Sequence, residues 1–577
     1  MIYKIKTPKS YFSLKQNYSF LINLAQYIIH IFMRRRIALV LIFVTFSNGL
    51  AQQSNFSKQD TLRGSITPER IWWDLLHYNL DFKVSPYSKS IEGSNLIRYE
   101  VLSQNQLMQI DLQPPMEIMS VIENNKKLNY KRDGNVYYIQ LEKNQQIGAI
   151  NEIKIHFKGA PKISNNPPWD DGFTWGKDNN GTDFIATSCQ GGGSSIWWPS
   201  KDHMYDEPDQ GIELNITAPK HLISVSNGRH IQTKENSNKT NTSTWKVINP
   251  INNYGVNINI GDYVHFTEEY KGKKGVLDCD YYVVSYNLEK AKKQFKEVSR
   301  TLEAFEHWFG PYPFYEDSYK LVEVPYLGME HQSSVTYGNG YKNGYKGIDL
   351  SGTGWGLKFD FIIVHESGHE WFANNITNID IADMWIHESF TAYSENLFLD
   401  YHFGTEASNA YVTGTRKNIQ NDKPIIGNYN VNNSGSSDMY YKGANMLHTL
   451  RQIIDNDKKW RSILVGLNKD FYHQTVTTLQ IENYIDKYFE IDLKPFFNQY
   501  LRTIKIPTLD YKLENNNLLY KWSNVVDGFS IPIKVFINST SQWIRPTSRW
   551  KKLLSDKNIN SFSVDNNFYI ETENKSD

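Results

Sequence analysis

The sequence predicts an α+β chain in three parts: an N-terminal β domain, a mostly helical middle domain and a small C-terminal β domain. Three observations carry this reading. Apolar residues recur with period two from about Ile71 to Phe266. They recur at three- and four-residue steps from near Asn287 to about Thr503, and alternate again over roughly the last seventy residues. With 577 residues, two to four domains are expected. A 40% hydrophobic and 14% aromatic content supplies large cores and excludes disorder across the whole chain.

The first element in chain order is a leader at residues 1–51. In "MRRRIALVLIFVTFSNGLAQQ" three arginines follow Met33, an apolar run spans Ile37 to Phe46, and small residues lead to Ala51. That is the layout of a secretory signal cleaved near Ala51, with Met33 as the expected initiator. The run is too short to cross a bilayer, and no cysteine follows it to carry a lipid. The expectation is export to the periplasm or beyond the cell, with no stable membrane anchor after cleavage. Removing residues 1–51 takes away four lysines, three arginines and no acid, leaving a net charge of −7. A mildly acidic chain without long basic runs beyond the leader gives no sign of nucleic-acid binding.

Residues 68–272 form the β domain. "YNLDFKV" sets Tyr78, Leu80, Phe82 and Val84 on one face. "INEIKIHFKG" alternates Ile153, Ile155 and Phe157 with polar residues, and "VNINI" does the same with Val256, Ile258 and Ile260. Turn signals at Asp133-Gly134 and Asn227-Gly228 separate such runs. Half-buried strands at this spacing predict a β-sandwich or open sheet. Residues 273–504 form the helical domain. In "NLEKAKKQFKEVSRTLEAFEHWFG" the positions Leu288, Ala291, Phe295, Val298, Leu302, Phe305 and Phe309 share one face, Asn287 is the expected N-cap, and Gly310-Pro311 ends the helix. "YKLVEVPY" interrupts with a short strand. Residues 505–577 alternate through Leu509, Tyr511 and Leu513, then Ile531, Ile533 and Val535, a small β-sandwich. Cys189 and Cys279 allow at most one disulfide, and whether they pair stays open.

The chemistry concentrates in "FIIVHESGHEWFANN", residues 361–375. His365 and His369 stand at i and i+4, so a helix projects both imidazoles from one face, as two ligands of one tetrahedral zinc require. Glu366 sits beside them without being a ligand. A third ligand comes from "DMWIHESFTAYSENLF", where Glu388 follows with eighteen residues between it and His369, enough for a turn and the start of a second helix. A lone glutamate on a helix is ordinarily a solvated surface acid; the histidine pair reverses that reading here. Three protein ligands leave one position for water, which marks a catalytic rather than a structural zinc, one per chain. Glu366 is then the expected general base that activates that water. Glu395 and Asp383 are both placed to hold a ligating histidine, and the sequence does not choose between them.

HExxH-x18-E is the signature of the aminopeptidase N family of gluzincin metallopeptidases, which includes leukotriene-A hydrolase, and the chain resembles that family along nearly its whole length after the leader. "LGMEHQ", residues 327–332, resembles the family's Gly-x-Met-Glu-Asn motif, with Leu327 and His331 as departures. The resemblance implies that Glu330 binds the substrate's free α-amine, with Gly328 and Met329 beside it in the substrate site. "YYKGANMLHTLR" resembles the Tyr-x-Lys-Gly-Ala stretch and assigns the catalytic, oxyanion-stabilising tyrosine to Tyr440 rather than Tyr441. "SCQGGGSSIWWPSKD" resembles the loop that reaches the active site from the β domain, making Gln190 a second amine anchor, although the three glycines depart from the pattern. The implied architecture is a β saddle domain, a thermolysin-like catalytic domain and a small β-sandwich, without the family's large C-terminal helical domain, and hence a more open cleft. The implied function is a zinc aminopeptidase acting on peptides with a free N-terminus. An endopeptidase, an epoxide-type hydrolase on the same scaffold, and an inactive zinc-stabilised peptide-binding protein are the alternatives. Oligomeric state is not legible.

Overall fold

The computed structural model describes residues 56–514, 516–555 and 558–576; the export signal read at residues 33–51 lies outside them. Alternation becomes sheet from Trp73 onward. Strand β1 (Trp73–Ser85) turns Tyr78, Leu80, Phe82 and Val84 into the core and leaves Asp81 and Lys83 in solvent. It pairs antiparallel with β2 (Ser90–Val101), which β3 (Ile150–Gly159) continues outward. On its other side β1 pairs parallel with β4 (Ile212–Pro219), inside an eight-stranded sheet. A four-stranded sheet that includes Asp183–Ser188 and Asn259–Gly261 shares the same apolar core. Trp197 and Trp198 are buried in that core, meeting Phe82 and Tyr78 edge-on at 5.3 and 4.8 Å between ring centres. These two indoles pin the chain just after the Gly191–Gly193 turn.

The "VNINI" stretch differs from the expected apolar-in, polar-out pattern. Val256, Ile258 and Ile260 are buried, but so are Asn257 and Asn259. Asn257 Nδ2 reaches the helical part, donating to the Ser334 carbonyl at 3.4 Å. Asn257 N donates to Asn227 Oδ1 at 2.9 Å, and Asn227 Nδ2 donates to the Gln332 carbonyl at 2.7 Å. The buried amides of Asn227 and Asn257 thus satisfy backbone carbonyls across this seam.

The middle part opens with its own sheet. Strands β5 (Tyr263–Gly272), β6 (Gly275–Val284), β7 (Tyr319–Glu323), β8 (Gly328–Met329) and β9 (Val335–Tyr337) lie in the order β5-β6-β7-β9-β8, so β8 is an edge strand. The predicted helix from Asn287 is two helices. Leu288–Gln294 ends at a kink at Phe295, and α1 (Lys296–Phe309) then buries Val298, Leu302, Phe305 and Phe309. Asn287 does not cap it: its backbone is helical (φ −101°, ψ 0°) rather than extended, its Oδ1 accepts from Lys290 Nζ at 3.0 Å, and its Nδ2 donates to Glu323 Oε1 at 2.7 Å. Gly310 terminates α1 as expected, with φ of 97°.

Three helices carry the centre: α2 (Phe361–Gly368), α3 (Trp385–Phe403) and α4 (Tyr441–Ile454). Asp360 caps α2, its carboxylate accepting from Ile362 N and Ile363 N at 3.1 and 3.3 Å. The helices approach closely at two glycines. A Cβ at Gly368 would lie 2.6 Å from Ser394 Oγ, and one at Gly443 would lie 1.9 Å from Ser389 Oγ. Ser389 Oγ in turn donates to the Met439 carbonyl at 2.6 Å, tying α3 to the start of α4. At the C-terminus a four-stranded and a three-stranded sheet face each other over Leu509, Leu518, Ile533 and Val535. Cys189 and Cys279 are both free and buried. Among the described residues no helix is long and apolar enough to cross a membrane.

Gly443→Ala should push α3 from α4. Over-packing of this kind costs about 1–3 kcal/mol, read as a lowered thermal unfolding midpoint. An unchanged midpoint would show that the contact relaxes freely.

Candidate active site

Helix α2 ends where its function begins. His365 and His369 lie on its last turns, both buried. Beyond Gly368 the chain opens into a wider turn, Glu370–Asn374, in which Ala373 has φ of 147° and Phe372 leaves the helical region. Such a backbone costs about 1–3 kcal/mol and persists only where its surroundings hold it. Here it carries the Phe372 carbonyl back to His369, whose Nδ1 lies 3.0 Å away and donates to it. Nε2 is thereby left facing the cleft. Thr391 Oγ1 lies 3.1 Å from the same Nδ1. For His365 the equivalent partner is a carboxylate: Nδ1 is 2.8 Å from Glu395 Oε1, and Tyr411 OH donates to Glu395 Oε2 at 2.5 Å.

Glu388, on the first turn of α3, completes the group. Its Oε2 lies 3.4 Å from His369 Nε2 and 3.8 Å from His365 Nε2, yet it has no hydrogen-bond partner. One donor atom from each of the three residues falls within 4.8 Å of the others. A buried carboxylate oxygen left bare between two imidazole nitrogens is costly unless a cation fills the gap. Two nitrogens and one oxygen form a donor set that zinc accepts. The residues therefore fit a metal ion. Glu330, Glu366 and His369 form a second such cluster, overlapping the first through His369. In that cluster Glu330 Oε1 already accepts from Gln190 and Tyr254, so the first group is the better-prepared cage.

Burial and neighbouring charge set the protonation states. Burial pushes the Glu366 carboxyl up to about 7, against the pull of His365 and His369. Burial also opposes ionisation of Glu388, but His369 and His365 outweigh it and hold that carboxyl well below the usual range. Tyr440 is raised well above an ordinary phenol by burial and by the carboxylates of Glu388, Glu330 and Glu366, so it is a neutral O–H donor. Its ring lies nearly parallel to His365, 6.0 Å away between centres.

The predicted substrate residues converge on the same cleft, about 760 Å³ in volume, lined by Gln190, Gly328, Met329, Glu330, Glu366 and Tyr440 among others. Glu330 follows edge strand β8. Its carbonyl accepts from Asn374 Nδ2 at 2.9 Å, and its Oε1 accepts from Tyr254 OH at 3.1 Å and Gln190 Nε2 at 2.6 Å. Gln190 Nε2 also donates to Glu388 Oε1 at 2.9 Å, joining the β-domain loop to both carboxylates. The glycines beside Gln190 have a mechanical reason. Asp171 accepts from Gly191 N and Gly192 N at 3.1 and 2.8 Å, and Gly193 takes φ of 85° to turn the chain toward Trp197. Tyr441 lies behind Tyr440 and also lines the cleft.

Sequence reasoning did not single out Tyr254, Asn374, Thr391 and Tyr411; Asn374 and Thr391 lie inside the stretches around the histidines and Glu388, but the fold sets their hydrogen-bond partners. Between the two candidate supports, Glu395 holds His365, whereas Asp383 caps the segment at Thr478, accepting from its N and Oγ1 at 2.9 and 2.6 Å. His331, His387 and His402 take packing roles: His387 Nε2 accepts from Asn378 N at 2.9 Å, and His402 Nε2 lies 3.0 Å from the Arg300 carbonyl.

Comparison with known proteins agrees with this geometry. The Peptidase family M1 domain model matches residues 293–500, and the Peptidase M1 N-terminal domain model matches residues 75–254. The chain is 23% identical to leucine aminopeptidase 2 of Vanderwaltozyma polyspora over 49% of this chain and 43% of that one. It is 24% identical to leukotriene A-4 hydrolase of Xenopus laevis over 35% of this chain and 34% of that one. It is also 24% identical to tricorn protease-interacting factor F2 of Thermoplasma acidophilum, over 36% of this chain and 25% of that one. The chain thus spans less than half of each of these relatives. In fold it is similar to the crystal structure of an M1 zinc metallopeptidase from Deinococcus radiodurans, with a TM-score of 0.66 at 17% identity over 78% of this chain and 98% of that one. A further solved form of that Deinococcus protein, a mutant bound to a Tyr-Ser-Ala substrate, has a TM-score of 0.64.

Proposed function

Because the chain belongs to peptidase family M1, matched over both its N-terminal and its catalytic parts, we propose that it is a zinc-dependent aminopeptidase that releases the first residue of peptides with a free N-terminus. The observation that carries this is Glu330: a buried carboxylate lining the cleft, held by Gln190 and Tyr254, beside Glu366 and His369.

His365, His369 and Glu388 would hold the zinc, which when bound polarises a carbonyl and acidifies water. The chain's own groups do the rest. Glu330 forms a charge-assisted pair with the substrate ammonium and so sets how far the peptide enters, which leaves the first peptide bond beside Glu366 and Tyr440. A carboxylate oxygen of Glu366 accepts a proton from the attacking water and delivers it to the leaving amine; burial, which raises this carboxyl, favours its holding the proton between the two transfers. Tyr440 OH donates to the carbonyl oxygen as that atom gains charge and the carbon becomes tetrahedral; one such donor is worth about 3–4 kcal/mol. Glu395 and the Phe372 carbonyl fix the tilt and tautomer of the two imidazoles.

Glu330→Ala should lower kcat/KM on aminoacyl-naphthylamides about tenfold to a hundredfold, the loss of one hydrogen-bonded charge pair, and change the low rate on N-acetylated analogues far less. Equal losses on both substrate types would remove Glu330 from amine recognition and favour an endopeptidase. Export through the leader is part of the proposal and rests on residues 33–51 alone; the mature chain should begin near Gln52 by N-terminal sequencing. A mature chain that keeps the leader would overturn it.

A further inference from the structure

Resting on the aminopeptidase reading, we propose that Lys417 receives a carboxylate on the far part of a bound peptide, either the C-terminus of a short substrate or an acidic side chain. Among its described lining residues the cleft has five carboxylates, those of Asp171, Glu330, Glu366, Glu388 and Glu395, and Lys417 is the only lysine or arginine. Apart from the cation that His365, His369 and Glu388 would hold, that ammonium is the charged group in the cleft lining that attracts a substrate carboxylate.

The turn Thr415–Asn418 carries two basic residues with different surroundings. Arg416 is committed to structure: its Nε donates to Asn445 Oδ1 at 2.7 Å, and its guanidinium lies over the Tyr569 ring of the C-terminal sandwich. Lys417 is exposed and lines the cleft, and its ammonium has no hydrogen bond or ion pair among the described residues. The turn beneath it is anchored, since Asn418 Nδ2 donates to the Leu350 carbonyl at 3.1 Å. Its ammonium runs along Gly352, where a Cβ would come within 2.5 Å of Nζ. Gln420, also exposed and lining the cleft, adds an amide nearby, and its backbone N donates to Asp438 Oδ1 at 2.8 Å. Asp438 stands two residues before Tyr440, so this wall belongs to the Tyr440 side of the cleft, whereas Glu330 lies beside edge strand β8. A peptide held by its ammonium at Glu330 and passing Glu366 and Tyr440 has this wall ahead of it. A free lysine kept unpaired on such a wall is a counter-ion awaiting its partner. Because the site is open, the gain is modest and falls with salt.

The test is equilibrium binding to the zinc-loaded Glu366→Gln protein, which avoids turnover. The probes are a tripeptide with neutral side chains, its C-terminal amide, the amide with glutamate at its third position, and the N-acetylated free acid. At low ionic strength the free acid should bind about threefold to fivefold tighter than the amide, and added Lys417→Glu should reverse that order. Recovery of tight binding by the glutamate amide assigns the site to side-chain carboxylates as well; no recovery assigns it to the terminus. Equal affinity of acid and amide, or a gap that survives Lys417→Glu, overturns the proposal. Indifference to N-acetylation contradicts the Glu330 reading separately, and no binding by any probe contradicts both.

Discussion

The structure turns on a buried anionic oxygen with nothing to hold it. Glu388 Oε2 faces His365 Nε2 and His369 Nε2 at 3.8 and 3.4 Å without a hydrogen bond. In a buried site such an atom is a liability of several kcal/mol unless a cation is shared among the three groups. The surrounding fold makes that arrangement unavoidable. Helices α2 and α3 meet at Gly368 with no room for a side chain, which is what brings the start of α3 to the end of α2. Loosening that crossing would let Glu388 retreat, and the need for a metal would vanish with it.

The supports around the cage divide the labour. One imidazole is held by a carboxylate that is itself held by Tyr411; the other is held by a main-chain carbonyl that only a strained turn can deliver. Gln190 spans the cage and the amine anchor, so the β domain does more than cover the cleft: it connects two carboxylates of different purpose through one side-chain amide. Its reach depends on two buried tryptophans behind a glycine turn.

Much of this was legible in the chain. Period-two runs such as Tyr78 to Val84 became core-facing strands, and the histidine pair with Glu388 lay in the order and spacing that two adjacent helices require. What escaped did so for physical reasons. Asn287 has the chemistry of a cap, but its backbone is already helical and its Oδ1 accepts from Lys290 Nζ instead of a backbone N–H. Asn257 and Asn259 read as solvent-facing because alternation reports two faces and not what lies over each. Glu395 and Asp383 are equivalent acids in sequence; only the fold reveals that one meets His365 and the other caps Thr478. Tyr254 lies in a loop far from every motif, and nothing in "NNYGV" announces that its hydroxyl reaches Glu330.

Metal content of the purified chain, compared with that of Glu388→Gln, tests the account most directly. One zinc per chain, with the variant largely stripped by a chelator that spares the parent, is the result expected of a cage closed by that carboxylate. A parent that carries no zinc and takes up none when it is supplied would contradict the account at its root.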